Sequence, residues 1–542
     1  MKMAFCESRR LIVVKIGKWF GKTNLDFLNL YAILSPKKNR LWRIRTMKLT
    51  KLNRNLVPDR CNPTPDYYCT WQTQLYATCD GKPALQRRVI GEKGLFSQEK
   101  PYGWAYFYEQ ARSDLLLVMD DSWDVPLSGD TAFYGSLIPD AEKFPEATRG
   151  AASNSEALKR LTERVKALGW KGMGGWICAQ EAPAFSGKMC DTDYWRLRLR
   201  EAEDAGFSYW KVDWGKRGTS LDFRRMLTAL GREIAPHLTI EHAVIPSVIP
   251  YADVYRTYDV PAILSIPMTL QKLKEFLSDT RTERPRMGLV NCEDEAYIAA
   301  AGGFSMGIMR HPYAGTFING KDDMSFPAVH RKLKTKICEI TRAVRWHRIA
   351  PAFGIDAADV QIDARTLTDT WHFASRDAEM EAWWFDQPAI RDHMTGERVS
   401  KTAPARVARG CALPEVVADA NGNVPFVVAA KNPNGAFSVV TAGRTLERTY
   451  EIPLCRVTLR IEDAQTVGVF GEYEELILET SRTHISHVWM QDLAGEEAFD
   501  ITDDVCICGG SIQISGALIH AVGTMAQPEG DTSEPGVLIV LG

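Results

Sequence analysis

The sequence predicts an α/β protein, a (β/α)8 TIM barrel followed by a C-terminal antiparallel β domain. Three observations predict it. Short apolar runs alternate with helical periodicity from about residue 64 to about residue 350, polar residues gather at the C-terminal ends of those runs, and beyond about residue 352 the helical period gives way to two-residue alternation broken by turn signals.

The first strand is read at Tyr67 to Trp71 and the second at Leu115 to Met119, which runs straight into Asp120-Asp121-Ser122-Trp123. A continuous apolar run marks a strand covered on both faces. Ser153-x-x-Glu156 predicts a capping box for a helix over 154–168, where Leu158, Leu161, Val165 and Leu168 recur at helical spacing before Gly169. Gly172 to Cys178 is the third strand, and a helix near 192–205 leads to the fourth, Phe207 to Gly215. Phe223, Leu227, Leu230 and Ile234 share one face of the next helix, which Pro236 stops. The remaining strands fall at Leu238–Glu241, Asp253–Arg256, Arg286–Asn291 and Phe304–Met309. Later runs such as Phe437–Val440, Val457–Ile461, Thr466–Phe470 and Val537–Val540, with Asn421-Gly422 and Asn434-Gly435 as turns, form the β region.

The 542 residues divide on this reading into a basic, poorly structured extension over 1–46, a barrel over 60–352 and a β-sandwich region of one or two sheets over 353–542. Residues 1–48 carry twelve Lys and Arg against Glu7 and Asp26, so the net charge of −2 conceals a leader of about +10 and a body of about −12. Met47 is then expected to be the working initiator. The acidic body speaks against nucleic acid as a partner. The longest apolar run of the leader, Leu11 to Val14, is too short for a signal peptide, and no stretch reaches the roughly 18 apolar residues of a membrane span, so no membrane partner is expected. The twelve cysteines are scattered, Cys506-x-Cys508 lacks a matching pair, and no HExxH occurs, so neither a metal site nor a cofactor is predicted. Reduced thiols in a cytoplasmic setting follow.

The charged residues then fall on this frame. At a period of two, Lys211 and Asp213 face the same way on strand four, into the barrel. Asp120 and Asp121 follow strand two, Glu241 ends strand five, Arg256 and Asp259 flank the end of strand six, and Glu293, Asp294 and Glu295 follow strand seven. Chemistry in such barrels converges from the C-terminal ends of several strands. Several carboxylates, a lysine, an arginine and nearby tryptophans make a sugar site: carboxylates accept from vicinal hydroxyls, Trp71 and Trp214 can cover the apolar sugar face, and two acids suffice to cleave a glycosidic bond.

At these residues the chain resembles the clan of retaining α-galactosidases, glycoside hydrolase families 27 and 36 (clan D). The resemblance rests on Asp120-Asp121-Ser122-Trp123 with Phe144-Pro145 downstream, on Tyr209-x-Lys211-x-Asp213, and on Arg256-Thr257-Tyr258-Asp259, and spans roughly residues 64–350. It implies that Asp213 is the nucleophile and Asp259 the general acid/base. Asp120, Asp121 and Lys211 would hold galactose hydroxyls, Glu241 would bind sugar or orient Lys211, and Arg256 would touch hydroxyls near carbon 2. Three departures stand out: Ser122 replaces the commoner Gly, no cysteine follows Asp213, and His242-Ala243 follows Glu241 where a Trp is expected.

The expected activity is retaining exo-hydrolysis of terminal α-linked galactose or a closely related sugar, from a small-molecule or oligosaccharide substrate, with homo-oligomerisation left open. On the same scaffold the alternatives are an α-N-acetylgalactosaminidase, a β-L-arabinopyranosidase or a raffinose-type galactosyl transferase. From other classes come a catalytically degenerate carbohydrate-binding barrel and a metal-dependent lyase using Asp213 and Glu241 as ligands. Taken singly, the residues have plainer readings. Asp120-Asp121 can be a turn, Trp71, Trp123, Trp176 and Trp214 can be core, and Glu293-Asp294-Glu295 is expected to cap the helix that begins at Ala296.

Overall fold

The computed structural model describes residues 12–13, 33–34, 47–71, 73–74, 87–99, 103–257, 264–279, 288–293, 295–309, 336–355, 359–372, 394–395, 398–447 and 449–542. All eight predicted strands form: β1 Tyr67–Cys69, β2 Leu116–Met119, β3 Gly172–Ile177, β4 Tyr209–Val212, β5 Thr239–His242, β6 Val254–Arg256, β7 Leu289–Asn291 and β8 Gly307–Ile308. They hydrogen-bond in the order β7-β6-β5-β4-β3-β2-β1-β8, and every pair is parallel. A parallel bridge between Asn291 and Ser305 closes the ring, with Ser305 N donating to Val290 O at 3.0 Å and Cys292 N to Ser305 O at 3.0 Å.

The period of two decides what each strand shows to the lumen. Tyr67, Cys69, Leu116, Val118, Tyr209 and Met309 pack with one another inside the barrel, whereas Tyr68, Leu117, Trp210, Val212, Ile240, Tyr255 and Val290 join the core outside it, under the helices. Helices α1 Asn154–Ala167, α2 Asp191–Asp204 and α3 Leu221–Ile234 cover β2 to β5, and α4 Ser265–Asp279, α5 Ala296–Gly302 and α6 Ile337–Ile349 continue the ring. At the start of α1, Ser153 Oγ accepts from Glu156 N at 3.2 Å as the capping box requires. The return arm differs, since Glu156 Oε2 accepts from Ala152 N, at 2.7 Å, and not from Ser153.

β4 stops where it does for a steric reason. Gly215 lies at φ 149°, and a Cβ there would stand 2.7 Å from Ala179 N, so only glycine lets the chain close against β3 just beyond the functional stretch.

The region beyond the barrel contains a nine-stranded and a five-stranded sheet, with three-stranded and two-stranded sheets beside them. Most pairs are antiparallel, but Arg406–Arg409 with Phe426–Lys431, Phe437–Ala442 with Thr466–Phe470, and Arg456–Glu462 with Glu475–Thr480 are parallel. The last two pairs arise because the chain passes alternately between the two large sheets, so it re-enters each one running in its former direction. The central strands of the nine-stranded sheet are buried on both faces. Val427, Val439, Val469 and Ile539 meet Leu459, Leu476 and Ile512 of the five-stranded sheet, while Phe426, Val428, Val440, Phe470 and Leu538 pack with the barrel core, α5 and α6 among it. Arg342 of α6 pins the layers together through a buried pair with Asp492, at 2.8 and 3.1 Å. At the far edge, Thr50–Leu52 pairs antiparallel with Ala498–Asp500, and ahead of it Ile12–Val13 pairs with Ile33–Leu34.

Candidate active site

Two tiers of inward-facing side chains build the site. The lower tier is centred on Glu241, which is fully buried. Its Oε2 accepts from Tyr209 OH at 2.7 Å and Asn291 Nδ2 at 2.8 Å, Tyr67 OH lies 3.3 Å from both oxygens, and Arg256 Nη1 stands 3.8 Å away. Burial raises the phenols of Tyr67 and Tyr209 well above their ordinary values, with the Glu241 charge adding to it, so both stay protonated donors.

In the tier above, Lys211 Nζ donates to Asp120 Oδ2 at 2.6 Å and approaches Cys69 Sγ at 3.4 Å and Met309 Sδ at 3.7 Å. The Cys69 thiol donates to the same Asp120 oxygen at 2.9 Å, and Thr70 Oγ1 accepts the Asp120 N–H at 2.9 Å. Burial is the largest single influence and works against the lysine charge, but Asp120, Cys69 and Asp213 together outweigh it and push the ammonium up. Asp213 receives Trp176 Nε1 on Oδ2 at 3.0 Å and faces Arg256 Nη2 across 2.9 Å from Oδ1. Burial alone would raise this carboxyl, but the charges of Arg256 and Lys211 and the Trp176 hydrogen bond hold it below the usual carboxylate range, so it is ionised at neutral pH.

Asp121 ends a relay that starts outside the barrel. Arg87 Nε donates to Tyr134 OH at 2.8 Å, that hydroxyl lies 2.9 Å from Ser122 Oγ, and Ser122 Oγ donates to Asp121 Oδ1 at 2.6 Å. Ser122 sits at φ 74°, in the left-handed region that favours glycine. Burial pushes Asp121 up to about 6, with the Ser122 bond working against it. Lys143, whose ammonium burial lowers to about 8, donates to Ser122 O at 2.8 Å. Strain recurs around the mouth, at Ser122, at Val244 after β5 (φ 75°) and at Glu293 after β7 (φ 43°).

Trp214 is 42% exposed and forms a wall with Trp176, 5.3 Å away between centroids, and Tyr134, at 5.2 Å. Trp71 packs on the lumen cluster of Cys69 and Met309, whereas Trp123 is core and donates its Nε1 to Trp176 O at 2.8 Å.

The structure therefore brings Asp120, Asp121, Lys211, Asp213, Arg256, Trp71 and Trp214 to one end of the barrel. Two expectations need correction. Glu241 neither reaches Lys211 nor opens to the mouth: Lys211 is taken by Asp120, and Glu241 underpins Arg256 from below. The Glu293 carboxylate does not cap α5 but turns into the barrel, 3.6 Å from Arg256 Nε, and Glu295 at the N-cap engages Ser265 Oγ without making a side-chain cap. Asp259, the expected acid/base, and Asp294 lie outside the described residues. Cys69, Tyr134, Asn291 and the Trp176 hydrogen bond escaped sequence reasoning. The alternation that put Lys211 inside could have found Trp176, its partner in the β3–β4 register. Among the described residues no group of three or more His, Cys, Asp or Glu side chains is arranged to hold a metal ion, and no helix is long and apolar enough to cross a membrane.

No protein-family model matches the chain, and no curated protein matches it. Solved structures do. A proposed α-N-acetylgalactosaminidase from Bacillus halodurans is 10% identical and aligns over 90% of this chain and 99% of its own, with a TM-score of 0.38. A glycoside hydrolase family 27 β-L-arabinopyranosidase from Geobacillus stearothermophilus is 13% identical over 52% of this chain and 69% of its own (TM-score 0.29). A proposed α-galactosidase from Bacteroides fragilis is 12% identical over 58% and 70% (TM-score 0.31). Likeness at this level assigns neither family nor chemistry.

Proposed function

We propose that the protein is a retaining exo-glycosidase acting on terminal α-linked galactose or a closely related sugar. The observation that carries this reading is Asp213, a carboxylate kept ionised inside a barrel mouth by Arg256, Lys211 and Trp176. It stands beside a hydroxyl-binding set, Asp120, Asp121 and Lys211, and an exposed aromatic, Trp214. Burial of an ionised group that serves only packing is costly. A nucleophile needs this state, because it must attack as the anion.

In the proposed reaction Asp213 attacks the anomeric carbon while Asp259 protonates the departing oxygen. Water then opens the glycosyl-enzyme with Asp259 as base, which requires the two carboxyls roughly 5–5.5 Å apart. Asp121 accepts from a sugar hydroxyl, and Trp214 covers the apolar face. This chemistry calls for no cofactor.

The test is a set of aryl glycosides: α-galactoside, α-N-acetylgalactosaminide and β-L-arabinopyranoside. The α-galactoside is expected to be cleaved fastest, and proton NMR of the first-formed sugar should show the α-anomer. A β-anomer from the α-galactoside, or no turnover of any of the three, overturns the reading. Asp259→Ala should lose natural α-galactosides and be rescued by azide on an activated aryl glycoside, giving the α-glycosyl azide. Rescue in Asp294→Ala instead would move the acid/base to the end of β7.

A further inference from the structure

One buried cation lies behind the proposed nucleophile and has no part in the chemistry above. Arg224, on the first turn of α3, is fully buried and reaches under the C-terminal end of β4. Its Nη2 donates to the main-chain O of Asp213 at 2.7 Å, Nη1 to Val212 O at 3.2 Å, and Nε to Gly218 O at 2.8 Å. One guanidinium thus ties the last peptides of the strand to the loop that follows.

Its fourth contact runs to β5, where Nη1 lies 3.1 Å from His242 Nδ1. A guanidinium only donates, so Nδ1 accepts and the imidazole proton sits on Nε2. From there it is donated to Thr228 Oγ1 at 2.7 Å, and Thr228 Oγ1 donates to Arg224 O at 3.1 Å. The circuit closes on the residue where it began. Burial, then the Arg224 charge, holds His242 well below its ordinary value, so the ring stays a neutral acceptor. The histidine that departs from the clan pattern after Glu241 therefore has an occupation on the outer face of the barrel.

We propose that Arg224 is a positioning residue for Asp213, acting through the Asp213 main-chain carbonyl with His242 as its buttress. The proposal rests on the glycosidase reading for its kinetic arm. Among the described residues, the groups that face Asp213 include Arg256 from β6, Lys211 from β4, Trp176 from β3, Asp121 after β2, Cys178 after β3, and Arg224 from α3, whose charge also favours the carboxylate. Tyr255, on the outer face of β6, and Thr228 also lie beside Arg224 and His242.

Three variants separate placement from charge. Arg224→Met removes both, and kcat should fall about 100-fold, as for a reacting group displaced by about an ångström, with KM little changed. The acid limb of kcat/KM should move to higher pH, because Asp213 loses a cation that favours its anion. Arg224→Lys keeps the charge but cannot span three carbonyls, so kcat should fall while the acid limb stays in place. His242→Asn retains an acceptor for Arg224 and should stay near wild type. A folded Arg224→Met with wild-type kcat and an unmoved acid limb overturns the proposal, and if that variant fails to fold, wild-type kcat in Arg224→Lys does the same. A second readout needs no substrate: carbon-13 NMR titration of the Asp213 carboxyl, assigned with Asp213→Asn, should move upward in Arg224→Met and not in Arg224→Lys. Absence of glycosidase activity in the wild type overturns the functional reading, whereas an unmoved Asp213 titration in Arg224→Met overturns the role of Arg224 alone.

Discussion

The two ends of the barrel bury the same kinds of residue and connect them in opposite ways. At the base, Asp66 Oδ1 accepts from Met306 N at 2.8 Å, and its Oδ2 accepts from Asn62 Nδ2 at 2.6 Å and meets His347 Nδ1 at 2.6 Å. Asp114 takes Asn62 N and the Arg348 guanidinium at 2.8 to 3.0 Å, and Lys171 donates to Asn62 O at 2.8 Å. Each carboxylate oxygen there is occupied by a donor from the protein. At the mouth, Asp213 Oδ1 has Arg256 as a charge partner at 2.9 Å without an aligned hydrogen bond, and Asp124 Oδ1 has none either. A base whose carboxylates are closed on protein donors holds the fold, while a mouth that leaves carboxylate oxygens open is poised to receive something else.

Substitutions should therefore divide cleanly between the two ends. Asp213→Asn is expected to lower turnover by several orders of magnitude, with little change in melting temperature because Arg256 keeps Glu241 and Glu293 nearby. Kinetics beside calorimetry checks both halves, and a variant that unfolds instead would place Asp213 with the base. Asp66→Ala, in contrast, removes the acceptor of three buried donors, Met306 N, Asn62 Nδ2 and His347 Nδ1, so denaturant unfolding should show a loss of about 1–3 kcal/mol for each donor left unpaired. The folded fraction should keep its KM.

A smaller effect distinguishes the ends by pH. Asp124, whose Oδ2 accepts from Gly135 N at 3.0 Å and Leu137 N at 3.1 Å, is pushed up to about 7 by burial, against an ordinary value of about 3.9. The folded protein then keeps a proton that the unfolded chain releases, so stability should fall as pH rises from about 4 to about 7. Denaturant midpoints at pH 5 and pH 7 should show this slope, and Asp124→Asn should flatten it; an unchanged slope would assign it to other groups. Ser122→Gly should do least. It relieves about 1–2 kcal/mol of left-handed strain and forfeits two hydrogen bonds of about 0.5–1.5 kcal/mol each. The net change in stability should lie within about 1 kcal/mol by calorimetry, and a modest rise in KM should report the loosened Asp121.

What the sequence made legible follows from locality. The eight strands and helices α1 to α3 were readable because each announces itself by apolar runs, a cap or a stop within its own residues, and the inward set on β4 followed from alternation alone. The role of Glu241 was not readable, since Tyr67, Tyr209 and Asn291 converge on it from strands far apart in the chain. Glu293 looked like a helix cap because charge at a helix start usually is one, but a positive φ swings its side chain inward. Tyr134 and Arg87 lie on connecting segments whose course no local pattern predicts. The parallel pairs in the large sheets depend on the chain alternating between layers, which period-two patterning cannot report.

The nine-stranded sheet also imposes an order of assembly. Gly536–Leu541 lies inside it, between Thr466–Phe470 and Val488–Asp492, and its Leu538 completes the packing against the barrel core. During synthesis α6 emerges long before this strand, so its face toward the sheet lacks full cover until residues 536–541 are made, whereas α5 meets Phe426–Lys431, Phe437–Ala442 and Thr466–Phe470 sooner. Such late, long-range closure slows folding and lengthens the time in which the nascent barrel can aggregate.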